Sequence, residues 1–180
     1  VYESRIQMGR ELAKEIQDIH PDIVISAPDS GTPAAIGYSL EAGIPFMEGL
    51  TKNRYVGRTF IQPTQKQRAN AVRLKLNPVR SVVEGKSVVL VDDSIVRGTT
   101  SGKVVKLLKE AGAREVHVAI SSPPVVDSCY YGIDTSERKQ LIASRCSQEE
   151  ICRFIGADSL HYISMEGMKR AISKINPDGL

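Results

Sequence analysis

An α/β domain with a mostly parallel sheet flanked by helices is the fold this sequence predicts, on three observations. Short apolar runs alternate along the chain with stretches of helical periodicity, the signature of strands joined by crossover helices. At 180 residues, 41% hydrophobic and 25% charged, the composition supports one sizeable core, so a single domain over 1–180 is expected. The run Val88–Val91 ends in Asp92-Asp93 and a small-residue turn, which is how a buried strand ends at the rim of a sheet before a helix opens.

The elements follow in order. Ile6, Leu12, Ala13, Ile16 and Ile19 recur at helical spacing until His20-Pro21-Asp22 breaks the helix before the strand Ile23–Ala27. A loop from Pro28 to Thr32 leads to a helix over Pro33–Ala42, where proline suits a first turn whose N–H would be unpaired anyway. After the short run Pro45–Leu50, a basic stretch with Gly57, Pro63 and few apolar residues predicts a long mobile loop of the functional kind. A strand at Ser87–Val91, a helix at about Thr100–Ala111 ended by Gly112, and a strand at Glu115–Ile120 come next. Short helices are expected at Ser136–Ala143, Gln148–Ile155 and Met165–Ile175, with a strand at Leu160–Ile163.

Charge and cysteine usage narrow the class of partner. Between Glu48 and Glu84 there is no acidic residue, while Lys52, Arg54, Arg58, Lys66, Arg68, Arg73, Lys75 and Arg80 make the stretch +8 in a chain of net charge +3. An anionic partner is implied, which a phosphorylated small molecule or a nucleic acid would satisfy. No run of about 18 apolar residues exists to cross a bilayer, so no membrane partner is expected. Three cysteines, Cys129, Cys146 and Cys152, with no Cys-x-x-Cys pair, argue against a disulfide framework and for a cytoplasmic location.

The chemistry concentrates in Val88 to Ser101. Gly98, Thr99, Thr100 and Ser101 fall where a helix presents unpaired N–H groups and the positive end of its dipole, so a phosphate can bind there with hydroxyls completing its shell. Asp92 and Asp93 at the strand end can accept hydrogen bonds from sugar hydroxyls, as an acidic residue does for ribose in dinucleotide folds. The same two acids would also serve as a helix cap, or ligate Mg²⁺ without any sugar. A Walker loop is excluded, because Gly102-Lys103 is followed by Val104.

The segment from Val88 through Asp92-Asp93-Ser94-Ile95-Val96-Arg97-Gly98-Thr99-Thr100 resembles the phosphoribosyl diphosphate loop of type I phosphoribosyltransferases. Lys52 to Pro63 (Lys-Asn-Arg-Tyr-Val-Gly-Arg-Thr-Phe-Ile-Gln-Pro), with Tyr131-Gly132-Ile133-Asp134, is similar to the glutamine phosphoribosylpyrophosphate amidotransferase family, and the likeness runs from about Tyr2 to Ile175. By that resemblance Asp92 and Asp93 hold the ribose diol and Ser94 through Ser101 cradle the 5-phosphate. Asp29, Ser30, Gly31 and Thr32 match the diphosphate loop, and Ser30, Asp92 and Asp93 lie nearest Mg²⁺. Lys52, Tyr55 and Arg58 match a loop that closes over substrate, and Lys52 and Arg54 match contacts to inhibitory purine nucleotides.

The implied reaction is displacement of diphosphate from ribose C1 by ammonia, the first step of purine synthesis, with charge placement dominating catalysis. Neutral ammonia needs no general base, so His20, His117 and His161 are expected to be structural or exposed. The resemblance further implies a homo-oligomer and, in complete family members, a glutaminase domain that is expected to be absent before Val1. Cys129 matches one ligand of the family's iron-sulfur cluster, while Cys146 and Cys152 match none, so an assembled cluster is expected only in a full-length relative. Two other readings fit the sugar site: a phosphoribosyl diphosphate sensor whose basic stretch binds nucleic acid, and a nucleobase salvage enzyme. No added helix-turn-helix supports the first, so no nucleic-acid partner is expected, and no clear aromatic hood supports the second, Tyr130 and Tyr131 being the candidates.

Overall fold

The computed structural model describes residues 1–53, 76–129 and 138–176. The elements are α1 (Tyr2–Glu15), β1 (Ile23–Ser26), α2 (Thr32–Ala42), β2 (Leu50–Lys52), β3 (Leu76–Pro78), the one-turn α3 (Arg80–Val83), β4 (Ser87–Asp92), α4 (Thr99–Glu110), β5 (Glu115–Ile120), α5 (Gln148–Ile155), β6 (Ser159–Tyr162) and α6 (Met165–Ser173). Two 3₁₀ turns, Arg138–Gln140 and Ile142–Ser144, precede α5.

Four strands form a parallel sheet in the order β1-β4-β5-β6. Phe46 adds a single parallel bridge to Val24 on the side of β1 away from β4. The sheet has helices on both faces, which is why its strands are apolar at consecutive positions instead of alternating. Val88 and Leu90 of β4 pack with Ile25, Val118 and Ile120 beneath Val104, Val105 and Leu108 of α4 and Ile151 and Ile155 of α5. Val89 and Val91 face the other way, with Val24 and Ala119, onto Leu12, Ala13 and Ile16 from the α1 side and Ala34, Ala35 and Tyr38 of α2.

Helices α1 and α2 touch backbone to backbone. A Cβ on Gly9 would sit 1.9 Å from the Ala34 carbonyl oxygen, and one on Gly37 would sit 2.0 Å from that of Ile6. Only glycine permits that approach at both positions, so the pair is fixed in depth by backbone contact. Helix α1 is also bound to α6 through Glu11, 3% exposed, which accepts hydrogen bonds from Lys14 (3.1 Å), Arg170 (2.9 Å) and Lys174 (2.6 Å).

Three expectations change. Helix α1 ends at Glu15, short of Ile19, because Ile16 turns extended (φ −105°, ψ 103°) while its side chain stays in the core. The helix expected at Ser136–Ala143 is, from Arg138 on, two 3₁₀ turns separated by Leu141, whose extended backbone (φ −80°, ψ 113°) lets adjacent Leu141 and Ile142 both be buried. The antiparallel ribbon β2–β3, pairing Leu50 with Pro78 and Lys52 with Leu76, was not anticipated, since its partners are far apart in sequence.

Candidate active site

Strand β1 is flanked by the Phe46 segment, which follows it in sequence, on one side and by β4 on the other. Chain order thus reverses direction at β1, and in open α/β sheets the crevice beyond the carboxyl ends at such a point is where ligands bind. The loops leaving β1 and β4 are the two singled out from sequence: 27–31, opening α2, and 93–98, opening α4.

The first loop is built against the end of β4. Ala27 N–H donates to Val91 O at 2.9 Å and Gly31 N–H to Ala27 O at 3.0 Å, folding the first loop back across the end of β4. A Cβ on Gly31 would lie 2.5 Å from Val91 O and 3.0 Å from Asp92 Cα, so a hydrogen is all that fits there. The Pro28–Asp29 peptide is cis. Thr32 Oγ1 lies 3.1 Å from Ser26 Oγ, tying the start of α2 to the end of β1. Lys52 Nζ reaches in from β2 to pair with Asp29 Oδ2 at 2.6 Å, and Arg5 Nη1 reaches in from α1 to donate to Ser30 O at 3.0 Å.

At the end of β4 Asp92 is partly buried, and its carboxyl is pushed up to about 7. Burial is the main cause; the Asp93 N–H bonded to Oδ1 at 2.8 Å opposes it, and the neighbouring Asp93 charge adds to it. Its backbone is held from just past β5, where Ser121 N–H donates to Asp92 O at 3.0 Å. Ser94 Oγ donates to Asp93 Oδ1 at 3.2 Å. An ionised Asp92 beside Asp93 therefore has no compensating cation within the described protein, a donor set that suits Mg²⁺, which binds one or two carboxylates and takes its other ligands from water and phosphate. Among the described residues no cluster of three His, Cys, Asp or Glu groups forms a cage of its own.

Beyond the acids, Gly98 takes the left-handed conformation (φ +75°) as N-cap of α4, and no side chain caps that helix. The N-cap of α2, Gly31, is likewise without a side-chain cap. Helices α5 and α6, away from these loops, are capped by the hydroxyls of Ser147 and Ser164. The α4 terminus thus keeps its N–H groups and dipole for an external acceptor, with Thr99 and Thr100 exposed and Ser101 buried, 8% exposed. The outer half of the loop is braced from later in the chain. Ile142 N–H donates to Val96 O at 2.9 Å, Arg97 donates to Gln140 Oε1, and a Cβ on Gly98 would lie 3.0 Å from Ile142 Cδ1 and 3.1 Å from the Phe154 ring.

Asp29, Ser30, Gly31, Thr32, Asp93, Ser94, Gly98, Thr99, Thr100 and Ser101 lie on these two loops and the helix turns they open, Asp92 ends β4 beside them, and Lys52 joins them through Asp29. Arg54, Tyr55 and Arg58 lie outside the described residues, as do Tyr130 and Tyr131. Cys129 is partly buried, at the end of the segment that follows β5. His117 and His161 stand on β5 and β6, sharing the Ser159 hydroxyl at 2.8 and 3.2 Å. Sequence reasoning missed Arg5, Gln140 and Phe154. Only tertiary packing brings them to the loops, and no local pattern marks them.

The chain is similar to known proteins in sequence and fold. Amidophosphoribosyltransferase 1, chloroplastic, of Arabidopsis thaliana is 57% identical over 174 residues, 97% of this chain and 31% of that protein. An amidophosphoribosyltransferase of Synechocystis sp. is 58% identical over 168 residues, 93% of this chain and 34% of that one. The solved structure of glutamine phosphoribosylpyrophosphate amidotransferase from B. subtilis complexed with ADP and GMP matches with a TM-score of 0.87 at 55% identity, covering 99% of this chain and 39% of that one. The chain spans about a third of the length of the curated relatives it matches. A family model described as the phosphoribosyl transferase domain matches residues 3–151, over β1, β4, β5 and both loops, and the chain therefore belongs to the phosphoribosyl transferase domain family.

Proposed function

We propose that this domain displaces diphosphate from 5-phosphoribosyl 1-diphosphate with ammonia, giving 5-phosphoribosylamine, the first step of purine biosynthesis. The observation that carries the reading is the seating of Gly31 on Val91 O and Asp92 Cα, which brings the loop at 27–31 against the strand end that carries Asp92. Similarity to amidophosphoribosyltransferases over most of the chain supports ammonia as the nucleophile.

The geometry supports a role for each group. The N–H groups and hydroxyls at the start of α4, Thr99 to Ser101, hold the 5-phosphate, and Asp92 and Asp93 accept hydrogen bonds from the ribose hydroxyls. Asp29 to Thr32 hold the diphosphate, and Lys52 adds a positive charge beside it. Ser30, Asp92 and Asp93 would hold Mg²⁺, which supplies neutralisation of the departing diphosphate. The C1–O bond breaks with its electron pair leaving on diphosphate, the C1–N bond forms from the ammonia lone pair, and the surplus proton passes to solvent. The positive charge that develops on the sugar lies near the Asp92 and Asp93 carboxylates, which favours the transition state over the ground state. Purine nucleotides are read as competing inhibitors that share Lys52, a reading supported by the relative complexed with ADP and GMP.

Diphosphate release from phosphoribosyl diphosphate, measured with ammonia, adenine, guanine, hypoxanthine or uracil as acceptor, tests this reading. Turnover with ammonia is expected; turnover with a nucleobase in place of ammonia would replace the reading with a salvage activity.

A further inference from the structure

We infer that Arg5, on α1 and absent from every role assigned above, is a positioning residue for the diphosphate loop, acting through the Ser30 carbonyl; the inference rests on the phosphoribosyltransferase reading of that loop. The Ser30–Gly31 peptide is the unit that leans on the end of β4. Its N–H end is held by Ala27 O at 3.0 Å and its C=O end by Arg5 Nη1 at 3.0 Å. Because a peptide is planar, holding both ends fixes the plane, and with it the direction in which the flanking loop groups face the crevice. Without Arg5, only the Ala27 end of that unit is held.

The scaffold delivering Arg5 is stiff. It sits one turn before Gly9, at the backbone-to-backbone contact of α1 with α2, so its Cα cannot drift relative to the start of α2. The neighbouring cations on α1 serve other ends: Arg10 and Lys14 pair with Glu41 at 3.7 and 3.8 Å. Among the described residues Arg5 has no carboxylate partner, and the carbonyl bond is the contact that defines its place. A donor anchored at the loop on which a diphosphate is to rest also adds favourable charge at close range.

Calorimetric titration of the 180-residue chain with phosphoribosyl diphosphate and Mg²⁺ tests this, together with hydrogen exchange of the Gly31 amide. Arg5→Ala should weaken binding about tenfold, the scale of one hydrogen bond from a charged donor, and speed exchange at Gly31. Arg5→Lys, which keeps a donor for the carbonyl, should recover most of both, and Arg10→Ala should leave both unchanged. If the wild type fails to bind, the reading of the site falls and this inference falls with it. If the wild type binds and Arg5→Ala binds equally well, or if Arg10→Ala is as damaging as Arg5→Ala, the positioning role alone is overturned.

Discussion

A carboxyl pushed up to about 7 at the end of β4 makes Asp92 costly to the free protein and useful to the bound one. Its protonated form is favoured by folding, so its contribution to stability is full below the unfolded value of 3.8 and is lost as pH rises through about 7. Asp92→Asn keeps an acceptor for the Asp93 N–H and removes the charge. The variant should therefore be more stable than wild type at pH 8 by about 1–2 kcal/mol, discounted for partial exposure, and the gain should be clearly smaller at pH 5. Thermal melts in EDTA at the two pH values would show it, and sugar binding should fall by at least about tenfold in the same variant. If Asp92 holds Mg²⁺ as proposed, the metal displaces a proton there, so the metal dependence of substrate binding should sharpen as pH rises from 6 to 8. Gly31 gives a second test at this scale. In Gly31→Ala the new methyl meets backbone at 2.5 Å on β4, which has no rotamer to yield, so substrate binding should collapse by roughly a hundredfold while the sheet survives. Circular dichroism beside the binding isotherm separates the two effects.

Among the elements, α1 carries more than its sequence suggests. Burial would raise the Glu11 carboxyl, but hydrogen bonds from Lys174, Arg170 and Lys14 outweigh it and hold the group at about 2. Its stabilisation is present above the unfolded value of 4.5 and is lost as pH falls towards 2. Glu11→Gln leaves three cations facing a neutral amide, and urea melts at pH 7 should report a loss of roughly 3 kcal/mol that shrinks on acidification to pH 3. Helix α5 acts on the site from the opposite side. Phe154, 60% exposed, rests on Gly98 and contributes little to the core, so Phe154→Ala should raise KM for phosphoribosyl diphosphate several-fold with little change in Tm. A large fall in Tm with unchanged KM would show instead that the ring serves the packing of α5.

For the whole molecule, what was legible in sequence was local. Val88 to Ser101 announced itself because a buried strand, two acids, a left-handed glycine and an uncapped helix start are consecutive, and Asp29 to Thr32 because a strand, a short loop and a proline-started helix are too. Arg5, Gln140 and Phe154 were not legible, since each meets its loop across a long sequence separation. The β2–β3 ribbon escaped for the same reason, and the 3₁₀ turns because adjacent buried residues, Leu141 and Ile142, mimic no helical period. The contact between Gly31 and the end of β4 has one more consequence, which concerns fragments of the ligand. With Gly31 lying directly on the end of β4 and a backbone bond from Ala27 to Val91 beside it, the spacing between the proposed phosphate and diphosphate ends is set when the protein folds, leaving little order to be imposed when a ligand arrives. Ribose 5-phosphate and diphosphate, offered as separate molecules with Mg²⁺, should thus each find a finished half-site. Their affinities measured together should be no weaker than those measured alone, as for two keys cut for adjoining locks in one plate.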